Sequence, residues 1–104
     1  MAAAQKRYSG DRTIDGCVVT VDGAPLSEAL EVARLGEDGF EWSYEGEGPA
    51  QLALAILYDH FADADRARRE HAGFMRAVVA NFDNEWEMTS ADIDRALANI
   101  HAGA

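Results

Sequence analysis

Glu45 and Glu47 stand two residues apart on an extended stretch, which brings two carboxylates within the separation that an acid and a base share in glycosidases. Such chemistry needs an apolar wall to raise one pKa, and the chain supplies neither that wall nor a sugar cleft. Asp59, His60, Asp63 and Asp65 cluster around one loop and could ligate a metal, but their order matches no calcium-loop or zinc pattern. A helix cap at Asp63 and a solvated His60 explain that cluster better. His71 falls on an apolar helical stripe, as a hydrogen-bonded histidine at a core edge does. Ser9, Ser27, Ser43 and Ser90 have no neighbouring base and no nucleophile-elbow pattern. Cys17 is the sole cysteine, so no intramolecular disulfide and no multi-cysteine zinc site can form, and its place among valines reads as an inert core thiol. No catalytic residue, metal ligand or cofactor is assigned, and no enzymatic activity is expected.

The elements that would position these residues follow from periodicity. Phe40, Trp42 and Tyr44 alternate with Glu41, Ser43 and Glu45, which predicts a strand with three rings on one face and an acidic opposite face. Gly46, Gly48 and Pro49 then turn the chain into an apolar helix reaching Phe61, with Pro49 in the first turn, where its missing amide costs nothing. Ala50 to Phe61 is apolar nearly all round, so this helix should lie against both the sheet and another helix. Gln51 in its first turn is expected to satisfy backbone groups of the adjoining loop. Asp63 caps a second helix in which Ala67, His71, Phe74, Val78 and Phe82 form the inward stripe while Arg66, Arg69 and Arg76 face away. Thr89, with Asp92 three residues on and Met88 placed to pack on Ile93, starts a third helix carrying Ile93, Leu97 and Ile100.

Upstream, Gly16 to Val21 is β-branched and ends at Asp22-Gly23, the signature of a hairpin turn. Cys17, Val19 and Val21 share one face of that strand and Val18 and Thr20 the other, both apolar enough for a largely covered, central strand. Between Pro25 and Gly36, Leu26, Ala29, Leu30 and Ala33 fit a helical stripe and Leu30 and Val32 fit a strand. The strand is favoured because the segment is too short for a capped helix, and Asp38-Gly39 then turns into the aromatic strand. The expected fold is α+β: a three-stranded antiparallel sheet in meander order packed against about three helices. Residues 1–6 read as a disordered leader and 7–104 as a single domain.

The residues resemble those of a small uncharacterised prokaryotic and phage domain family. Its members look like a Tyr-x-Gly-x-Arg opening, a β-hairpin, a GFEWGY-type aromatic strand and a GPAQLALAIL helix start. Here these are Tyr8-Ser9-Gly10-Asp11-Arg12, GCVVTVDGAPL, and GFEWSYEGEGPAQLALAIL, followed by Phe74, Val78-Val79, Trp86, the Thr89 cap and Ile93. Family members tend to carry glycine in place of Ser43 and Glu45 and a small residue in place of Glu47. The resemblance supports the fold and assigns no activity.

Function must therefore be argued from charge. Acidic residues number 19 against 9 basic ones, a formal charge of −10 that repels nucleic acids and anionic membranes and attracts basic protein surfaces. The expectation is a cytoplasmic, non-enzymatic interaction module whose acidic ridge, Glu37, Asp38, Glu41, Glu45 and Glu47, docks onto such a surface. In a phage or mobile element it would inhibit a host defence complex by occupying its nucleic-acid channel. The alternative is a generic acidic, salt-adapted domain acting through oligomerisation or through a small ligand at the strand-to-helix loop. A strand-to-helix loop rich in glycine can hold an anion, but Glu45 and Glu47 repel one. On this reading Phe40, Trp42, Tyr44, Gly48, Pro49 and Gln51 are structural; Trp42→Ala costs about 3–5 kcal/mol and Glu41→Ala almost nothing.

Overall fold

A computed structural model describes residues 5–103. Strand β1 (Arg7–Thr13) turns at Ile14-Asp15 into β2 (Gly16–Val21), and the Asp22-Gly23 turn, both residues at positive φ, leads into the short β3 (Ala24–Pro25). A long irregular segment then reaches helix α1 (Glu47–Phe61), followed by α2 (Ala64–Ala77), a 3-10 turn at Val79–Asn81, strand β4 (Glu85–Thr89) and helix α3 (Ser90–Ala102). All pairings are antiparallel, in the order β3-β2-β1-β4, so the sheet is open and has four strands. The α+β class matches expectation, but the meander does not.

Neither Leu30–Val32 nor Phe40–Tyr44 joins the sheet. Ala29 and Ser43 take left-handed backbone conformations, φ 57° and 79°, and each breaks the extended run that alternation implied. The places those segments would have filled belong to β1 and β4, neither of which is among the strands expected from the sequence. Ser43 instead donates its amide to Val79 and its hydroxyl to Phe82 C=O (3.1 and 2.6 Å), tying the aromatic segment to the turn after α2.

The sheet is covered on one face only. Its inward rows are Val21–Tyr8–Met88, Val19–Gly10–Trp86 and Cys17–Arg12, while Val18 on the other face is 50% exposed rather than covered. Cys17, Val19 and Val21 do share the inward face. Leu52 to Leu57 of α1 are almost completely buried along α2, in one core cluster with the inward sheet residues, Trp42, Phe74 and Ile93. The caps lie where residue type placed them. Asp63 accepts from Arg66 N–H, and Thr89 and Asp92 exchange both bonds of a capping box, with Met88 and Ile93 on either side of it buried. Of the expected leader, residues 1–4 lie outside the described residues. Gln5 and Lys6 are hydrogen-bonded to α3 through Ala91 and Ser90.

Candidate functional site

The segment joining the sheet to α1 is organised by Gln51, a side chain with no exposure. Its carbonyl accepts from the amides of Leu35 and Gly36 (2.7 and 3.3 Å), and its amide donates to the carbonyls of Glu28 and Ala33 (2.6 and 3.1 Å). All four bonds hold residues 28–36, an irregular stretch whose buried backbone groups would otherwise lack partners. Gln51 thus fastens this loop to the start of α1.

Arg12 is a second organiser. Its guanidinium donates to Glu41 Oε1 (2.8 Å), Trp42 C=O (3.0 Å) and Asn84 Oδ1 (2.5 Å) and lies 4.9 Å from the Trp42 ring centroid. The Cys17 thiol donates to the same carboxylate (3.5 Å), and the amide of Trp42 also reaches it. The Arg12 hydrogen bond holds Glu41 below the usual carboxylate range. Burial, and then the charge of Glu41, push the Cys17 thiol up. Glu41 is therefore an internal ion-pair partner. That corrects its assignment to the docking ridge: with no strand at 40–44 to turn it outward, its carboxylate meets the arginine at the inward end of β1.

The rings divide as well. Trp42 is completely buried, edge-on to Trp86 at 5.8 Å, and Trp86 in turn stacks on Phe82 at 4.2 Å. Phe40 packs at the core's edge, but Tyr44 is 51% exposed, so the three rings do not share a face. The two glycines that follow them are closely approached by side chains. A Cβ at Gly48 would stand 2.8 Å from Glu41 Cβ, and one at Gly46 equally close to the Tyr44 ring. Pro49 is buried in the first turn of α1, as its lack of an amide permits. The left-handed φ of Ser43 is a conformation that glycine adopts at least cost.

The remaining ridge residues, Glu37, Asp38, Glu45 and Glu47, are all exposed. Glu37, Asp38 and Glu47 line a recess of about 240 Å³ with Gly36, Gly39, Glu41, Tyr44 and Gly48. Two further recesses continue along this side, one lined by Ser43 and the segment Phe82 to Glu85, the next by Ser9, Asp11, Glu85 and Glu87. The carboxylates of Asp11, Asp83, Glu85 and Glu87 thus extend the ridge into a band that sequence reasoning missed. A signal existed in the alternation Glu85-Trp86-Glu87-Met88, which marks β4 and sends both glutamates to the open face.

Acid is spread over the molecule, and so in part is unpaired acid: Asp15, Asp22, Glu28, Glu31 and Asp63, outside the band, have no basic side chain within 4.0 Å among the described residues. Within the helices, every acidic residue after the leading Glu47 has a basic side chain within 4.0 Å: Asp59, Asp65, Glu70, Asp92 and Asp94. Outside the helices, among the described residues, only Glu41 and Glu87 do, bound by Arg12 and Arg7.

The other candidate clusters dissolve. Asp59 accepts from Tyr8 Oη (2.6 Å) and Lys6 Nζ (2.9 Å), His60 meets Asp94 (2.7 Å) with its side chain only 12% exposed, Asp63 caps α2, and Asp65 pairs with Arg68. His60 is thus a bonded inter-helix residue and not a solvated one. Burial and the Asp59 carboxylate keep the Tyr8 phenol protonated far above its ordinary range, so it acts as a donor. Among the described residues no group of three or more His, Cys, Asp or Glu side chains is placed to hold a metal, and no helix is long and apolar enough to cross a membrane.

These features define an α+β domain whose open sheet is covered on one face by helices and whose loop side carries uncompensated carboxylates. The chain belongs to a family of unknown function (DUF6166), whose family model matches residues 8–99. No curated protein and no solved structure matches it.

Proposed function

We propose that this protein is a non-enzymatic, cytoplasmic interaction module whose acidic band docks onto a basic protein surface. The supporting observation is an uneven distribution of ion pairs: helix carboxylates after Glu47 each have a basic side chain within 4.0 Å, whereas Glu37, Asp38, Glu45, Glu47, Asp83, Asp11 and Glu85 have none among the described residues. Such a band focuses a negative field and steers cationic partners toward it. Tyr44, exposed among these acids, offers an aromatic face to an arginine or lysine. A surface whose normal ligand is nucleic acid is the natural target, and in a phage or mobile element the module would inhibit a host defence complex by charge mimicry.

The test is capture from host lysate at low and high salt, using the wild type and the variant Glu37→Gln/Asp38→Asn/Glu45→Gln/Glu47→Gln. The expected result is a nucleic-acid-binding protein retained at low salt, released by salt or added DNA or RNA, and not retained by the variant. Equal capture by both proteins, or none by either at low salt, overturns the reading. The second reading, a salt-adapted domain binding a small ligand in the loop recess, draws on the carboxylates of Asp15, Asp22, Glu31 and Asp63, which are also exposed and have no basic side chain within 4.0 Å among the described residues. It is favoured if the melting temperature of the wild type rises with salt while no partner is captured.

A further inference from the structure

β4 is an edge strand, bonded to β1 on one side only. Arg12 N–H donates to Asn84 C=O (3.2 Å) and Ser90 N–H to Lys6 C=O (3.0 Å), in register with Gly10↔Trp86 and Tyr8↔Met88. Even-numbered residues of β4 therefore turn their backbone groups toward β1, and Glu85 and Glu87 turn theirs away. Among the described residues no hydrogen bond from another element engages those two amides, whereas the next outward amide, that of Thr89, is taken by Asp92. The free edge is thus two residues long and has a built stop.

We infer that this edge accepts an extended segment of a basic partner as a fifth strand, an inference that rests on the acidic docking reading above. Residues of the added strand opposite Glu85 and Glu87 place their side chains on the same face as those glutamates, two positions apart. Directly across β1 on that face, Asp11 is paired with Glu85, two like charges set opposite each other with no cation bound to either. Lysine or arginine opposite Glu85 relieves that repulsion, and a second one two positions on joins the Glu87 carboxylate that Arg7 already holds. The residue between them falls beside Trp86 and Met88, each 8% exposed, and is best small and apolar. A second copy of this chain is the wrong occupant, because antiparallel pairing of β4 with itself sets glutamates against glutamates.

The probe is a peptide alternating lysine and valine, beside a twin whose lysine backbone amides are N-methylated, which keeps the charge and removes the donors. With saturating peptide, amide exchange at Glu85 and Glu87 is expected to slow by about tenfold or more, and the twin to bind about tenfold more weakly. If both peptides bind alike and perturb Glu37, Asp38 and Glu47 without protecting Glu85 and Glu87, strand addition is wrong while acidic docking stands. Failure of both peptides to bind at low salt overturns both readings. Protection that grows with protein concentration in the absence of peptide assigns the edge to self-association and likewise overturns the inference.

Discussion

The indole of Trp86 occupies the space that a side chain at Gly10 would need: a Cβ built there would stand 2.2 Å from Trp86 Nε1 and 2.3 Å from Cε2. The two residues face each other across the β1–β4 ladder, so the glycine is a slot cut into the sheet for a ring that Trp42 and Phe82 hold from other sides. Tyr8, Gly10 and Arg12, the residues of the Tyr-x-Gly-x-Arg opening, lie along the inward face of β1. One bonds α1 through Asp59, one admits Trp86 and one grips Glu41 and Trp42.

Gly10→Ala should therefore destabilise the domain by about 1–3 kcal/mol or more, because a ring packed on several sides cannot move aside as a flexible chain end could. Urea unfolding followed by tryptophan fluorescence reads this directly. An unchanged midpoint would show that Trp86 is free to shift.

Trp42→Ala should cost about 3–5 kcal/mol through the cavity left beside Trp86, whereas Tyr44→Ala should leave stability within about 0.5 kcal/mol. Equal effects in thermal melts would contradict the division of the two rings between core and solvent.

Gln51→Leu preserves bulk but leaves the Leu35 and Gly36 amides and the Glu28 and Ala33 carbonyls without partners, a loss of about 2–4 kcal/mol. Gln51→Glu should be no better, since it keeps the acceptor but turns an oxygen toward two carbonyls. Hydrogen exchange should quicken first at Leu35 and Gly36. If those amides exchange as in the wild type, the side chain is not what orders the loop.

Glu41→Ala, expected from sequence to be neutral, should cost about 1 kcal/mol, a modest figure because the Arg12 pair is partly solvated. The pH dependence has a definite sign. Glu41 has a lower pKa folded than unfolded, so its contribution is complete above the unfolded value and is lost as pH falls through the folded one. Stability of the wild type should decline below about pH 5, and Glu41→Gln should remove part of that decline. Identical acid limbs in the two proteins would sever Glu41 from the effect.

Helices were legible in the chain because their signals are local. The Asp63 cap, the Thr89–Asp92 box and the unbroken apolar run after Pro49 each act within a turn or two of where they stand. Strands were less so, since a strand needs a partner as well as a pattern. Phe40, Trp42 and Tyr44 have the alternation but no neighbour to pair with, and φ at Ser43 breaks the run. β1 has a partner on each side yet shows no apolar alternation, because its inward positions after Tyr8 are a glycine and an arginine. The candidate site divides along the same line: Glu37, Asp38, Glu45 and Glu47 lie exposed where charge alone placed them, while Glu41 was claimed by an arginine 29 residues away.

From the chain alone came the acidity, the α+β class, the caps and the fastening role of Gln51, since each rests on composition or on groups close in sequence. Which strands pair, which rings turn inward and which carboxylates keep their charge uncompensated were decided by the tertiary structure. Those outcomes depend on contacts between residues far apart in the chain, and only the folded backbone brings them within hydrogen-bonding distance.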